Sequence, residues 1–408
     1  MSAALPLAPD AVRAHFPAFA EPSLSDWAFF ENAGGSYTAR QVINRLADFY
    51  AKTKVQPYGA YPASISGGEA MDLAYERMAT ALNVAVEAVQ FGPSTTANTY
   101  VLAQAIGQWL EPGQTIVVTD QDHEANSGAL RRLAEKGITI REWRSDPETG
   151  HLDPASLDAL LDETVRVVAF PHASNIVGEI NPVANICRKL KSVGVISMVD
   201  GVSYAPHGLP DVTALGADIY LFSAYKTFGP HQGIMVVRPD LNQELPNQGH
   251  FFNADLPRKR LTPAGPDHAQ IAASAGICDY LEAIAALSGG SEGDPFRRAE
   301  TLIHAQEQAL LEPLMEYLRS RSDLRLIGPS AAHLRAPTIA LELGEPGIAA
   351  AKRLANHKIM AGGSHFYAYR LLQRLGIDPE KGVLRLSFVH YTSPEEIDRL
   401  ITALDAEL

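Results

Sequence analysis

Short, unbroken apolar runs alternate with longer amphipathic stretches through the first two thirds of the chain. The runs fall at residues 89–92, 115–119, 138–143, 165–170, 195–199, 219–222 and 233–237. Each is rich in β-branched or large apolar residues and stops abruptly at polar or small ones, which is how a strand buried on both faces reads. The stretches between them carry a helical period. One runs to Leu110 with Val101, Leu102, Ala105, Ile106 and Trp109 as its apolar stripe; another, closing at 131–136, ends on Gly137; a third spans 182–193. Strand and helix alternating from about residue 90 to 238 predict a mostly parallel, right-handed, three-layer domain.

The flanks read differently. Residues 10–16 form a short helix, 27–30 a strand, Asn32 to Gly35 a turn, and 39–53 and 69–82 helices; the Gly-, Pro- and Tyr-rich stretch 55–68 between the last two reads as a loop. Beyond 237, residues 241–266 are polar and loop-like, and the segment 249–253 is expected to rim a pocket. A long helix over 267–287 capped by Asp267, a Gly/Ser joint at 288–292, and helices and strands at 295–319, 324–327, 338–343, 347–355, 383–388 and 393–408 predict a second, smaller α/β domain. The expected division is 25–265 for the large domain and 266–408, with 1–24, for the small one.

Composition narrows the function. The 408 residues hold 34 basic and 47 acidic side chains, a net charge of −13, with no basic run, which argues against a nucleic-acid partner. The N-terminus lacks a signal-peptide pattern, and no apolar run approaches the ~18 residues needed to span a bilayer, so cytoplasmic residence and no membrane contact are expected. The two cysteines, Cys187 and Cys278, are far apart and suggest neither a metal site nor a disulfide framework.

The polar residues that end the apolar runs carry the chemistry. In open α/β sheets ligands bind outside the carboxyl ends of the strands. Asp200 ends one run, Ser223 ends the next, and Lys226 follows at once, so the three should meet in one crevice. One reading is a structural ion pair. The other is a pyridoxal phosphate (PLP) site, which needs a lysine for a Schiff base and an acid to keep the pyridine nitrogen protonated. The order Asp200, then Ser223-x-x-Lys226, then the Gly-rich turn Phe228-Gly-Pro-His231-Gln232-Gly233 favours PLP. Thr95 and Thr96 open a helix after one strand, where free N–H groups favour an anion; His123 and Asn175 leave the ends of two more.

The segment VDGVSYAPHGLPDV followed by ADIYLFSAYKTFGPHQG resembles the class V aminotransferases, also called the cysteine desulfurase family, and the likeness runs through nearly the whole chain. The resemblance implies the PLP-dependent transferase fold and assigns roles by position. Lys226 tethers PLP, Asp200 pairs with its ring nitrogen, and His123 stacks on the ring and moves protons. Thr95, Thr96, Ser203, Ser223, His231 and Gln232 hold the cofactor. Arg385, in VLRLSFVHYTS, clamps the substrate α-carboxylate with Asn175, and Asn32, in FENAGGS, lies at the substrate entry. It also implies an amino-acid substrate and a homodimer, with Tyr58 and Tyr61 as weak candidates for a site facing the partner.

Two departures from the family pattern stand out. The turn at Gly265-Pro266-Asp267-His268 lacks the threonine that in relatives reaches the neighbouring subunit's phosphate. The loop before Arg385, MAGGSHFYA, has no cysteine where desulfurases carry their nucleophile. A persulfide needs a thiolate beside the substrate, so that route is rejected, and His365 and Tyr367 stand as replacement acid–base or substrate-binding groups. The expected activity is a carbon–sulfur β-elimination without an enzyme persulfide, passing through a carbanion at the substrate's α-carbon. The alternative is a transaminase or an epimerase, and a non-enzymatic PLP-fold protein is the remoter option.

Overall fold

The computed structural model describes residues 5–290 and 292–408; the expected joint at 288–292 and the expected N-terminal features therefore fall partly outside the described residues. The strands in chain order are β1 (Ala28–Phe29), β2 (Val89–Gly92), β3 (Thr115–Thr119), β4 (Thr139–Trp143), β5 (Val165–Pro171), β6 (Ile196–Asp200), β7 (Ile219–Ser223), β8 (Gly233–Val237), β9 (Arg325–Ile327), β10 (Thr338–Glu342), β11 (Ile359–Met360), β12 (Gly362–Ser364) and β13 (Val383–Ser387).

The large sheet has seven strands in the order β2-β8-β7-β6-β5-β3-β4. Strands β3 to β7 run parallel, and β8 lies antiparallel to both β7 and β2. Successive side chains on a strand point to opposite faces, and here both faces are covered. Val117, Val168, Phe170, Val199 and Phe222 enter one core with the helices Arg40–Lys52, Pro62–Leu82 and His268–Ala286. Ile116, Val118, Val167, Met198 and Leu221 enter the other with Thr95–Trp109 and Glu124–Arg131. Burial on both sides is why the runs read as continuously apolar rather than alternating.

The small sheet is antiparallel, in the order β12-β13-β10-β9. Leu384, Leu386, Ile339 and Leu341 pack beneath the helices Pro295–Ser320, Gly347–Asn356 and Pro394–Glu407. Ser393 opens the last of these with a capping box to Glu396. Asp267 caps the helix His268–Ala286 as the sequence predicts, its side chain accepting from the Gln270 N–H.

The N-terminal segment serves both cores. Leu7, Val12 and Phe16 lie in the large one, whereas Ala28 and Phe30 lie in the small one, where β1 pairs in parallel with β11. The helix His268–Ala286 belongs to the large core. Hydrophobic side chains therefore change core at different points from the expected division at 25 and 265.

Several local expectations are corrected. The helix expected from residue 69 begins at Pro62, so Gly67 and Gly68 lie inside it rather than in a loop. A Cβ on Gly68 would come within 2.7 Å of the Tyr58 ring, so the glycine serves packing, not a turn. Val101 and Trp109 are only half-buried; the buried face of their helix is Asn98, Thr99, Leu102, Ala105 and Ile106. The helix expected within 146–162 is a single 3₁₀ turn, Ser156–Leu160. The segment 249–253 does not rim the pocket: Phe251 is 88% exposed and Phe252 69%, and neither lines it. Among the described residues no helix is long and apolar enough to cross a membrane.

Candidate active site

Asp200 is the last residue of β6 and Ser223 the last of β7, and adjacent parallel strands set their ends side by side. After Ser223 the chain turns through the 3₁₀ segment Ala224–Lys226, held by Thr227 Oγ1 donating to the Ser223 carbonyl and by the Gly229 N–H donating to Ala224. The turn brings Lys226 over the end of the sheet, 8% exposed. Two connected cavities meet there, one of about 300 Å³ and one of about 860 Å³. Their common wall is Thr96, His123, Ala125, Asn175, Tyr225 and Lys226.

The inner cavity is polar at both ends. At one end Ser94 caps the helix Thr95–Trp109, accepting from the Ala97 N–H, while the Thr95 and Ser223 hydroxyls lie 2.7 Å apart and His231 stands alongside, stacked on Tyr225. A helix start with hydroxyls around it favours an anion. Strand β8 passes so close that a Cβ on Gly233 would sit 2.3 Å from the Ser94 carbonyl carbon and 2.4 Å from the Thr95 nitrogen. Elsewhere in the same cavity lie Asp200, which accepts from the Val202 N–H at 2.8 Å, and Ser203.

Charge is finely balanced between these groups. Burial pushes the Asp200 carboxyl up to about 6, against the pull of the Val202 N–H and Lys226. Burial, then the Arg385 charge, draws Lys226 down to about 8, opposed by Asp200 and Glu31. Burial, Lys226 and Arg385 together drop His123 to about 3, so its ring is neutral. The His123 Nδ1 accepts from the Ala125 N–H at 3.1 Å, which leaves the ring proton on Nε2.

The outer cavity is organised around Arg385 on β13, 3% exposed. Its Nη2 donates to Glu31 Oε1 at 2.7 Å, its Nη1 to the Asn175 carbonyl at 3.4 Å, and its guanidinium lies 3.7 Å over the Phe366 ring. Asn175 Nδ2 donates to the Phe366 carbonyl, and the Glu124 N–H donates to that of Tyr367. Phe366 and Tyr367 both hold positive φ, 47° and 58°. Two non-glycine residues in that region persist only where their surroundings fix them, and here the two carbonyls are anchored to the large domain.

Of the residues singled out from sequence, Thr95, Thr96, His123, Asn175, Asp200, Ser203, Ser223, Lys226 and His231 line the inner cavity, and Arg385 and Tyr367 line the outer one. Five do not reach either. Asn32 is buried with its amide oxygen bonded to the Tyr391 hydroxyl, because the chain there turns Glu31 inward instead. Gln232 Oε1 accepts from Ser274 on the neighbouring helix. His365 Nδ1 turns back to accept from the Tyr367 N–H. Tyr58 and Tyr61 are exposed and lie outside both cavities. Sequence reasoning passed over Glu31, Ser94, Tyr225 and Phe366. Ser94 had a signal, since it precedes the helix whose start was already marked; Glu31 had none beyond its place in FENAGGS.

The donor set fits PLP. A 300 Å³ space with hydroxyls and a helix start in one wall, an acid held in its shared-proton range in another, and a lysine between matches a phosphate, a pyridine nitrogen and an aldehyde. Known proteins bear on the same question. At 22% identity, the apo cysteine desulfurase of Thermococcus onnurineus NA1 superposes with a TM-score of 0.85, covering 100% of this chain and 99% of that one. The Escherichia coli cysteine desulfurase CsdA gives 0.82 at 22% identity, covering 98% of each. Those likenesses define the fold as that of PLP-dependent enzymes of fold type I.

The sequence profile described as Aminotransferase class-V matches residues 28–400, and the chain belongs to that family, whose members are PLP-dependent enzymes. The aminotransferase-like protein FGM3 of Gibberella zeae is 32% identical over 97% of this chain and 98% of its own length. A cysteine desulfurase of Pectobacterium carotovorum subsp. carotovorum is 30% identical over 96% of each.

Proposed function

We propose that this enzyme binds PLP at Lys226 and uses it to break a carbon–sulfur bond in a small amino-acid substrate, without passing the sulfur to a protein thiol. The observation that carries this reading is the meeting of Lys226, Asp200 and the Thr95–Thr96 helix start around one cavity that opens onto a second with no cysteine in its wall. Thr95, Thr96, Ser223 and His231 would hold the phosphate. Asp200 would keep the ring nitrogen protonated, Ser203 lines the same cavity, and His123 would face the ring as a neutral imidazole. Bound there, PLP supplies a sink for the electron pair left when a proton departs from the carbon bearing the amine.

Lys226 is the base for that proton. A lysine drawn to about 8 is unprotonated in a useful fraction near neutrality, as a general base requires. Its buried setting excludes water that would otherwise compete for the proton. Loss of the substituent on the next carbon then takes the C–S electron pair with the sulfur. No side chain accepts the sulfur covalently: Cys187 and Cys278 are buried in helices, their thiols pushed up by burial to about 11 and about 12. Tyr367, beside His123 in the outer wall, is the group placed to assist the departing atom.

Transamination is the second reading, supported by the aminotransferase-like relative. A homodimer goes with either, and the exposed aromatics Tyr58, Tyr61, Phe251 and Phe252 support it.

The test is a panel of amino acids given to the PLP-loaded enzyme, following sulfide, keto acid and the cofactor's absorption. Sulfide and keto acid released with PLP unchanged are expected. Accumulation of the pyridoxamine form would instead select the aminotransferase. Iodoacetamide at pH 8 is expected to leave turnover intact, and Lys226→Ala to abolish the visible band. A band that survives that substitution overturns the assignment of the lysine.

A further inference from the structure

The carboxylate position on Arg385 is already filled. Glu31 Oε1 takes Nη2 at 2.7 Å, the Nη1 reaches the Asn175 carbonyl, and the guanidinium face lies on Phe366. Arg385 Nε is buried without a partner, and so is Glu31 Oε2. Recognition of a carboxylate by arginine is strongest when two parallel N–H groups meet two oxygens. On Arg385 both Nη atoms already donate, to Glu31 and to the Asn175 carbonyl, and Nε is buried, so an incoming carboxylate competes with Glu31 for the guanidinium.

The place that holds Glu31 is built for it. A Cβ on Gly362 would lie 2.3 Å from Glu31 Oε2, and one on Gly34 would lie 2.8 Å from Oε1. Neither glycine has a positive φ. Their missing side chains therefore serve clearance around this carboxylate, not backbone geometry. Gly362 sits opposite Arg385 in the β12–β13 register, so the strand next to the one that presents the arginine presents the space for its partner.

We propose that Glu31 is a resident carboxylate on Arg385 that the carboxylate of an α-amino acid substrate has to displace, so that primary amines whose reacting carbon carries no carboxylate enter the site more readily. The inference rests on the Lys226 cavity being the active site and adds to it a class of substrate. With the pair closed, the arginine charge is cancelled and the outer cavity offers Tyr225, Phe366 and Tyr367 to an uncharged substituent. With the pair opened, Arg385 is free for an α-carboxylate, and the released Glu31 has a partly exposed side chain through which to turn toward the outer cavity.

Propionate tests the carboxylate position without any turnover. Calorimetric titration of the holoenzyme should show propionate binding at least tenfold more tightly to Glu31→Gln than to the wild type. Gly362→Ala, which crowds Oε2 directly, should move the affinity in the same direction and carries the test if Glu31→Gln does not fold. Ethylamine and alanine differ only by the carboxylate. Wild-type holoenzyme should respond in its visible spectrum to less ethylamine than alanine, and Glu31→Gln should reverse that order. Propionate affinity that is unchanged or weaker in both variants overturns the proposal, as does an alanine preference in the wild type equal to that of Glu31→Gln. Failure of the underlying site assignment shows separately, as a Lys226→Ala enzyme that keeps its visible band.

Discussion

Lys226 provides the most direct check on the electrostatics of the site. In protein stripped of PLP its amine is held at about 8, first by burial and then by Arg385, against an ordinary lysine value of 10.5. At pH 7 about one Lys226 side chain in eleven is then unprotonated, against about one in 3000 for an ordinary lysine, an advantage of roughly 300-fold. A less basic amine is also a weaker nucleophile. If amines follow a slope near 0.5, as thiols do, about 15-fold to 20-fold of that is lost, leaving an advantage on the order of tenfold. Competitive acylation with trace acetic anhydride across pH 6–11, read by mass spectrometry peptide by peptide, measures both the rate and the midpoint. The peptide carrying Lys226 should titrate near 8 while surface lysines titrate near 10.5. Asp200→Asn removes a charge that holds the proton on Lys226, so the midpoint should fall further; Arg385→Met removes one that repels it, so the midpoint should rise. A Lys226 midpoint near 10, or an upward move in Asp200→Asn, refutes the reasoning.

Two further outcomes follow from the packing. Gly233→Ala drives a methyl group into the Ser94–Thr95 backbone at 2.3–2.4 Å. It should cost about 1–3 kcal/mol of stability and weaken PLP retention, seen as a lower melting temperature and a weaker fluorescence titration with PLP; no change in either counts against the close approach. Burial raises the Glu307 carboxyl, but the charge and hydrogen bond of His207 at 2.9 Å, with those of His390, outweigh it and leave it at about 2, below its ordinary 4.5. Because the folded value is the lower one, this stabilisation is complete above pH ~4.5 and drains away as pH falls toward 2, by at most about 3 kcal/mol. Glu307→Gln should therefore flatten the acid limb of a urea-unfolding series between pH 5 and 3; an unchanged limb would sink that account.

The large sheet was legible because strands buried on both faces leave continuous apolar runs, and the polar residue that ends each run is conspicuous. Asp200, Ser223 and Lys226 were placed that way, and Asp267 by its position before a long helical period. The misses share a different cause. Strands β11 and β12 span only Ile359–Met360 and Gly362–Ser364, too short to show a period, so nothing in the sequence announces that Gly362 faces Arg385 or that Glu31 lies between them. Gly67 and Gly68 looked like loop residues because composition cannot tell a glycine that frees the backbone from one that makes room for a tyrosine ring. Phe251 and Phe252 were expected at the pocket as part of a polar, loop-like stretch after the large sheet, whereas in the folded chain they are exposed.

Residues 7–30 tie the molecule together like a thread sewn through two layers of cloth. Leu7, Val12 and Phe16 plug one half, and some dozen residues later Ala28 and Phe30 plug the other, with β1 stitched to β11. Neither half is thus a transplantable module. A fragment beginning at residue 266 would carry off a helix that belongs to the part left behind and would lack the two side chains that finish its own interior. Recombination between relatives should accordingly tolerate exchanges of whole chains far better than exchanges of halves.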